Sequence, residues 1–150
     1  MPEPTLSRDE LTRLLSAHFP EFLNTASGVT IEQVGHGTAR VRQAFSPKML
    51  RPGGTISGPA MMALTDFTMY ASLLAAIGWV PLAVTTQLGI NFLRRPTQTD
   101  LIAEGKLLKL GKRLAVGELN LVRRSGRSGR ACDVHVFHPA REVIYNHQVI

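Results

Sequence analysis

The sequence predicts an α+β fold in which one antiparallel sheet carries a long helix on one face. Three observations lead there. Residues 59–77 form a nearly all-apolar stretch bounded by helix start and stop signals. Several other segments alternate apolar and polar residues with period two. Between the later of these segments only turn residues intervene, so consecutive strands follow one another without crossover helices. The chain of 150 residues, 44% hydrophobic and 19% charged, is long enough for one sizeable core and too short for two. It shows neither an internal repeat nor a linker, so residues 1–150 are expected to form a single domain. That balance excludes a large disordered fraction and most multidomain enzymes.

The elements follow in order. Ser7 can cap a helix and Glu10, three residues on, can return the bond, while Leu6 can staple onto Leu11. Leu11, Leu14, Leu15 and His18 then share one helical face, which predicts a helix over about 7–19 that stops before Pro20 and packs across an edge of the fold. Residues 29–34 and 38–45 read as two strands turning through Gly35-His36-Gly37, with Ala39, Val41 and Phe45 on one side. Residues 46–55, rich in Pro and Gly, are expected to be an irregular loop of the kind that carries function. The helix over 59–77 would span about 28 Å, enough to cross a bilayer. Asp66, Thr65, Thr68 and Ser72 inside it, and strand patterns on both sides, argue instead for a central helix covered by sheet and by a neighbouring subunit. Strands are then expected over 82–92, 101–110, 114–122 and 131–137, with turns at Gly111-Lys112 and at 124–129. In the first of these, Leu82, Val84, Leu88, Ile90 and Phe92 share a face. The tail 139–150 has no assigned place.

The glycine-rich run Gly53-Gly54-Thr55-Ile56-Ser57-Gly58-Pro59 matches none of the common phosphate or nucleophile motifs. It lacks the Lys-Ser/Thr of a P-loop, the G-x-G-x-x-G spacing and leading strand of a dinucleotide site, and the spacing of a serine-hydrolase elbow. What remains is physical: Gly58 opens a long helix, so its N–H has no helical acceptor, no side chain shields it, and it lies at the positive end of the helix dipole. Such a donor can hold an oxyanion. Asp66, in a helix otherwise suited to a dry interior, is either neutralised by Arg51 or by Thr hydroxyls, or it is a general base or nucleophile.

The net charge of +6 suits an anionic partner, and ten of the 17 Lys and Arg lie between Arg94 and Arg130. With 6% aromatic residues and no nucleic-acid-binding signature, a nucleic-acid partner is not expected. Asp133, His135 and His138 do not make a metal site, because His135 and His138 point to opposite faces of a strand. Cys132 shares the apolar parity of Val134 and Val136 and reads as a packing residue. As the only cysteine, together with a start that lacks a secretory signal, it leads to the expectation of a cytoplasmic setting.

The run from Gly54 to Asp66, with Ser57, Gly58 and Leu64 between, followed by residues 83–96 ending Phe92-Leu93-Arg94-Arg95-Pro96 and by Gly111-Lys112-Arg113, resembles the hotdog-fold acyl-CoA thioesterases of the phenylacetate-degradation (PaaI-like) type. The family motif is Gly-x-x-His-Gly-Gly-x-x-x-x-Leu-x-Asp, and the resemblance covers about residues 25–138. It implies a sheet wrapped around the central helix, subunits associated as dimers or as a homotetramer, and active sites at the dimer interface. It further implies Gly58 as donor to the thioester carbonyl, Asp66 of the other subunit as base or nucleophile, and Thr85 as a polar residue that helps hold the attacking water. Ser57 stands where the family has His, Arg51 where it often has Asn, and Pro59 at its second glycine. Basic residues Lys112, Arg113, Lys109 and Arg95 would meet the phosphates of coenzyme A, which enters as part of the substrate; no metal or redox cofactor is implied. The expected activity is hydrolysis of an acyl-CoA to acid and CoA. The alternatives are a non-catalytic acyl-CoA binder on the same fold, which the missing His favours, and a basic nucleic-acid module. A hotdog dehydratase is disfavoured, since Ala71 stands where such an enzyme has His.

Overall fold

The computed structural model of the protein describes residues 2–123 and 143–144. The strand expected over 131–137, the turn at 124–129 and most of the tail, with Cys132, Asp133, His135 and His138, lie outside the described residues. The elements are helix α1 (Arg8–His18), strands β1 (Val29–Gly35) and β2 (Thr38–Gln43), helix α2 (Gly58–Ile77), and strands β3 (Val84–Thr85), β4 (Leu101–Leu110), β5 (Leu114–Arg123) and β6 (Val143–Ile144). The strands form one six-stranded sheet in the order β1-β2-β4-β5-β6-β3, and every pairing is antiparallel. This is the hotdog arrangement: the sheet curves around α2.

α1 begins with the expected capping box, in which the Ser7 side chain accepts from the Glu10 N–H and the Glu10 carboxylate accepts from the Ser7 N–H. Its apolar face buries Leu11 and Leu15 completely against β1 and α2. The β1–β2 hairpin turns at Gly37, whose φ of +73° is open to glycine at little cost. A bulge at Glu32 lets that carboxylate receive both Arg40 and Arg42, which also reach Glu104 and Asp100.

α2 rests directly on β2, β4 and β5. The approach is close because two strand positions facing it are glycines: a methyl group at Gly105 would meet the Ser72 hydroxyl, and one at Gly117 would run into the Met69 side chain. Leu64, Phe67, Leu73 and Leu74 are buried there, each contributing roughly 1.5–3 kcal/mol. The buried hydroxyls of Thr65, Thr68 and Ser72 donate to the carbonyls of Met61, Leu64 and Thr68 in the preceding turn, so their burial leaves no polar group unsatisfied. The helix is long and apolar enough to cross a membrane, with mean hydropathy 1.5, yet 67% of that window is buried within the fold. Only a stripe of α2 faces outward, formed by Pro59, Met62 and Ala63 and continued by half-buried Asp66 and Tyr70.

Two expectations fail. Residues 46–55 are not wholly irregular: Ser46 caps and Pro47 opens a short 3-10 turn, Pro47–Met49. The strand expected over 82–92 reduces to Val84–Thr85, and Leu82, Val84 and Phe92 of its apolar face are 69%, 54% and 48% exposed. Alternation supplies an apolar face, but that face is buried only where a second layer covers it. Within this chain the sheet-facing side of α2 is already occupied by β2, β4 and β5.

Candidate active site

The chemistry-bearing residues gather around α2 in two places. The first is its N-terminus. Ser57 is the N-cap, and its hydroxyl accepts from the Ala60 N–H at 3.3 Å. The Met61 N–H bonds to the Ser57 carbonyl, and Pro59 has no N–H. Of the first donors of this helix only the Gly58 N–H is left without an acceptor among the described residues. The loop leading to it is strapped down. Gly53 and Gly54, at φ +101° and +78°, turn the chain, the Ser57 N–H bonds to the Met49 carbonyl at 2.8 Å, and the Ile56 N–H bonds to the Pro96 carbonyl at 3.1 Å. That last bond brings the Arg94-Arg95-Pro96 segment beside the helix start. The result is a cavity of about 390 Å³ lined by Arg51, Gly58, Met61, Phe92, Arg94 and Arg95 among others.

The second place lies midway along α2. The half-buried Asp66 carboxylate accepts a 2.6 Å hydrogen bond from the Thr85 hydroxyl of β3. No described ion pair reaches Asp66, so Arg51 does not neutralise it. The chain between helix and β3 is anchored by the Tyr70 hydroxyl, which donates to the Pro81 carbonyl at 3.1 Å; burial raises the Tyr70 pKa, keeping it a neutral donor. Asp66 and Thr85 open on a chamber of about 670 Å³. Its walls include Phe19, Phe22, Phe67, Tyr70 and Trp79, five of the nine aromatic residues of the chain, so the lining departs from the average composition. The rings contact one another, with centroids 4.5 Å apart for Phe22 and Phe67 and 5.1 Å for His18 and Trp79. A chamber with one carboxylate at its edge can hold an apolar group beside a general base.

Gly58 and Asp66 are not brought together within one chain. Eight residues along the helix they stand about 12 Å apart along the axis and about 80° apart around it, and they line different cavities. Ser57 is engaged as the cap, with its proton left to donate. Arg95 sits with Arg51 near the start of β4, whereas Lys109, Lys112 and Arg113 lie at the β4–β5 turn, exposed and about 30 Å along the strand. The aromatic chamber was not legible as a unit, since its walls come from α1, the turn after it, α2 and the segment beyond. The signals that could have pointed to it are the i, i+3 pair Phe19 and Phe22 and the lone Trp79 just past the helix stop.

Comparison with known proteins identifies the family. Residues 53–129, which hold Gly58, Asp66, Thr85 and the Lys109–Arg113 turn, match the family model of the thioesterase superfamily. A protein of Saccharolobus solfataricus bearing an esterase name is 30% identical over 118 residues, 78% of this chain and 75% of that one. A crystal structure from Silicibacter sp. TM1040, named as a thioesterase, is 37% identical with a TM-score of 0.73 and covers 86% of this chain and 88% of its own. The E. coli PaaI protein of the phenylacetic acid degradation operon shares the fold, with a TM-score of 0.64 at 21% identity over 80% of this chain and 86% of its own. By sequence and by fold, this chain belongs to the thioesterase superfamily, a family of hotdog-fold thioester hydrolases.

Proposed function

We propose that the protein hydrolyses acyl-CoA thioesters as a homo-oligomer in which Gly58 of one subunit and Asp66 of another form each site. One observation carries this reading: a single helix presents an open oxyanion donor at one end and an unneutralised carboxylate at its middle, and within a chain the two cannot reach the same carbonyl. Beside Asp66, the exposed side chains of Met62, Leu82 and Val84 form an apolar face that a second subunit would cover.

In this mechanism the thioester oxygen accepts the Gly58 N–H, which stabilises the negative charge that develops as the carbonyl carbon becomes tetrahedral. The Asp66 carboxylate takes a proton from water as the water oxygen bonds to that carbon; the C–S bond then breaks, and the proton passes to the departing CoA thiolate. Direct attack by Asp66 would pass through an anhydride that water later opens. The Thr85 hydroxyl fixes the Asp66 oxygen at 2.6 Å and orients the carboxylate. Arg51 and Ser57 shape the carbonyl end, while Lys109, Lys112 and Arg113 at the β4–β5 turn are available to the CoA phosphates.

The test is CoA release from short, medium, long-chain and aryl acyl-CoAs by wild type and Asp66→Asn. Turnover by wild type that drops by about 10²–10⁴-fold in the variant supports the assignment. Binding of acyl-CoA by both proteins with no turnover by either makes the protein a binder on this fold.

A further inference from the structure

The cavity at the start of α2 holds more positive charge than an oxyanion site requires. Three arginines, Arg51, Arg94 and Arg95, all exposed, line the cavity onto which Gly58 opens, and no carboxylate lines it among the described residues. None of the three takes part in an ion pair among the described residues. Their placement is built into the backbone. The turn closed by the Arg51 N–H on the Thr55 carbonyl and by the Gly54 N–H on the Arg51 carbonyl holds the first, and the Ile56-to-Pro96 bond holds the other two beside it. Like charges around one cavity repel one another, and an anion bound among them relieves that repulsion.

Resting on the thioesterase reading above, we infer that the preferred acyl group carries a second, ionised carboxylate, seated on Arg51, Arg94 and Arg95. Proximity selects this anion over a phosphate of CoA. Gly58 and the three arginines line the same cavity, so an anion seated on them lies near a carbonyl held at Gly58. The CoA phosphates are at the far end of the extended pantetheine arm and project away from the sulfur. A short dicarboxylic acid linked to CoA through one carboxyl places its free carboxylate at the required distance. Its methylenes would lie along Met61, Phe92 and Leu93, the last two 48% and 57% exposed, on the same cavity wall. Guanidinium groups suit this partner because their planar fork matches a carboxylate with two parallel hydrogen bonds.

Glutaryl-CoA and pentanoyl-CoA, equal in carbon count and differing in the terminal carboxylate, provide the test with purified full-length protein. The expected kcat/KM ratio favours glutaryl-CoA by about 10- to 100-fold in wild type and falls toward one in Arg51→Gln. A wild-type ratio of one or less, or a ratio that Arg51→Gln leaves unmoved, overturns the inference while hydrolysis of pentanoyl-CoA keeps the thioesterase reading. Equal weakening of free CoA and glutaryl-CoA binding by Arg51→Gln assigns the cluster to phosphate and likewise overturns it. If no thioester is hydrolysed, the thioesterase reading has failed, and binding of the two non-hydrolysable thioether analogues decides this point: selectivity lost in Arg51→Gln supports the carboxylate seat, and equal affinity in wild type rejects it.

Discussion

The first turn of α2 and its middle turn make an instructive contrast. At the first turn the open donor is backbone: the Gly58 N–H is the one left over, since Pro59 has no N–H and the Ser57 hydroxyl accepts that of Ala60. At the middle turn the backbone is fully engaged, and the chemistry rests on one side chain, Asp66, held by a hydroxyl from another element. The first region is cationic and small, the second aromatic and nearly twice as large. On the proposed reading one stabilises charge and the other moves protons, and with the two about 12 Å apart along the helix each site is completed by another copy of the chain.

The sharpest way to break that contrast is to delete each half separately and mix the products. Gly58→Pro removes the open N–H and is sterically mild, since a side chain there meets only the Phe92 ring at 3.6 Å and proline is tolerated in a first helical turn. It is expected to lower kcat by about 10²–10³-fold, and Asp66→Asn by about 10²–10⁴-fold. Each alone should retain at most about 1% of wild-type turnover. Unfolded together and refolded as a mixture, they should regain roughly a quarter of wild-type activity, because half the dimers are mixed and each of those holds one intact site. No recovery, with both variants folded and dimeric, would mean that Gly58 and Asp66 of one chain serve the same site.

Thr85→Val sharpens the middle turn alone. Losing the hydrogen bond to a charged carboxylate corresponds to about 1.5–3 kcal/mol, so kcat should fall about 10- to 100-fold, with KM for acyl-CoA changing far less. An equal rise in KM would move Thr85 from orienting Asp66 to holding substrate.

How much of this arrangement the sequence reveals depends on how local the cause is. The Ser7 and Glu10 cap, the β4 and β5 strands and the extent of α2 were readable because each is set by residues within a few positions of one another. Residues 82–92 were misread for the opposite reason. Their alternation is real, but whether Leu82 and Val84 are buried depends on a layer that the described residues do not supply. Gly58 and Asp66 stood out because each breaks a local rule, an unpaired donor and a carboxylate in an apolar run. The aromatic chamber and the arginine cluster break none. Each assembles from segments tens of residues apart, and only folding joins Phe19 to Phe67 or Arg51 to Arg94.

Ser57 shows how a position can serve both levels. As the N-cap it holds the turn that leaves Gly58 open, so Ser57→Ala should lower stability by about 1 kcal/mol, while Ser57→Gly, an acceptable cap without a side chain, should cost only a few tenths. Chemical denaturation of the three proteins distinguishes a cap from a residue with no structural part, for which the two variants would be alike.

The smallest effect concerns α1, whose far end walls the aromatic chamber through His18 and Phe19. The Ser7 side chain and backbone hydrogen bonds hold the Glu10 carboxyl below its ordinary value of 4.5. A depressed folded-state pKa contributes stability that is present above the unfolded value and is lost as pH falls through the folded one. Wild type should therefore melt slightly above Glu10→Gln at pH 7, and the gap should close on acidification below about pH 4. The same substitution should leave the chamber intact, because Leu11 and Leu15, fully buried between the cap and His18, fix the rest of the helix whether or not its first turn frays. A drop in acyl-CoA turnover in Glu10→Gln at pH 7 would show that the cap and the chamber are coupled along α1.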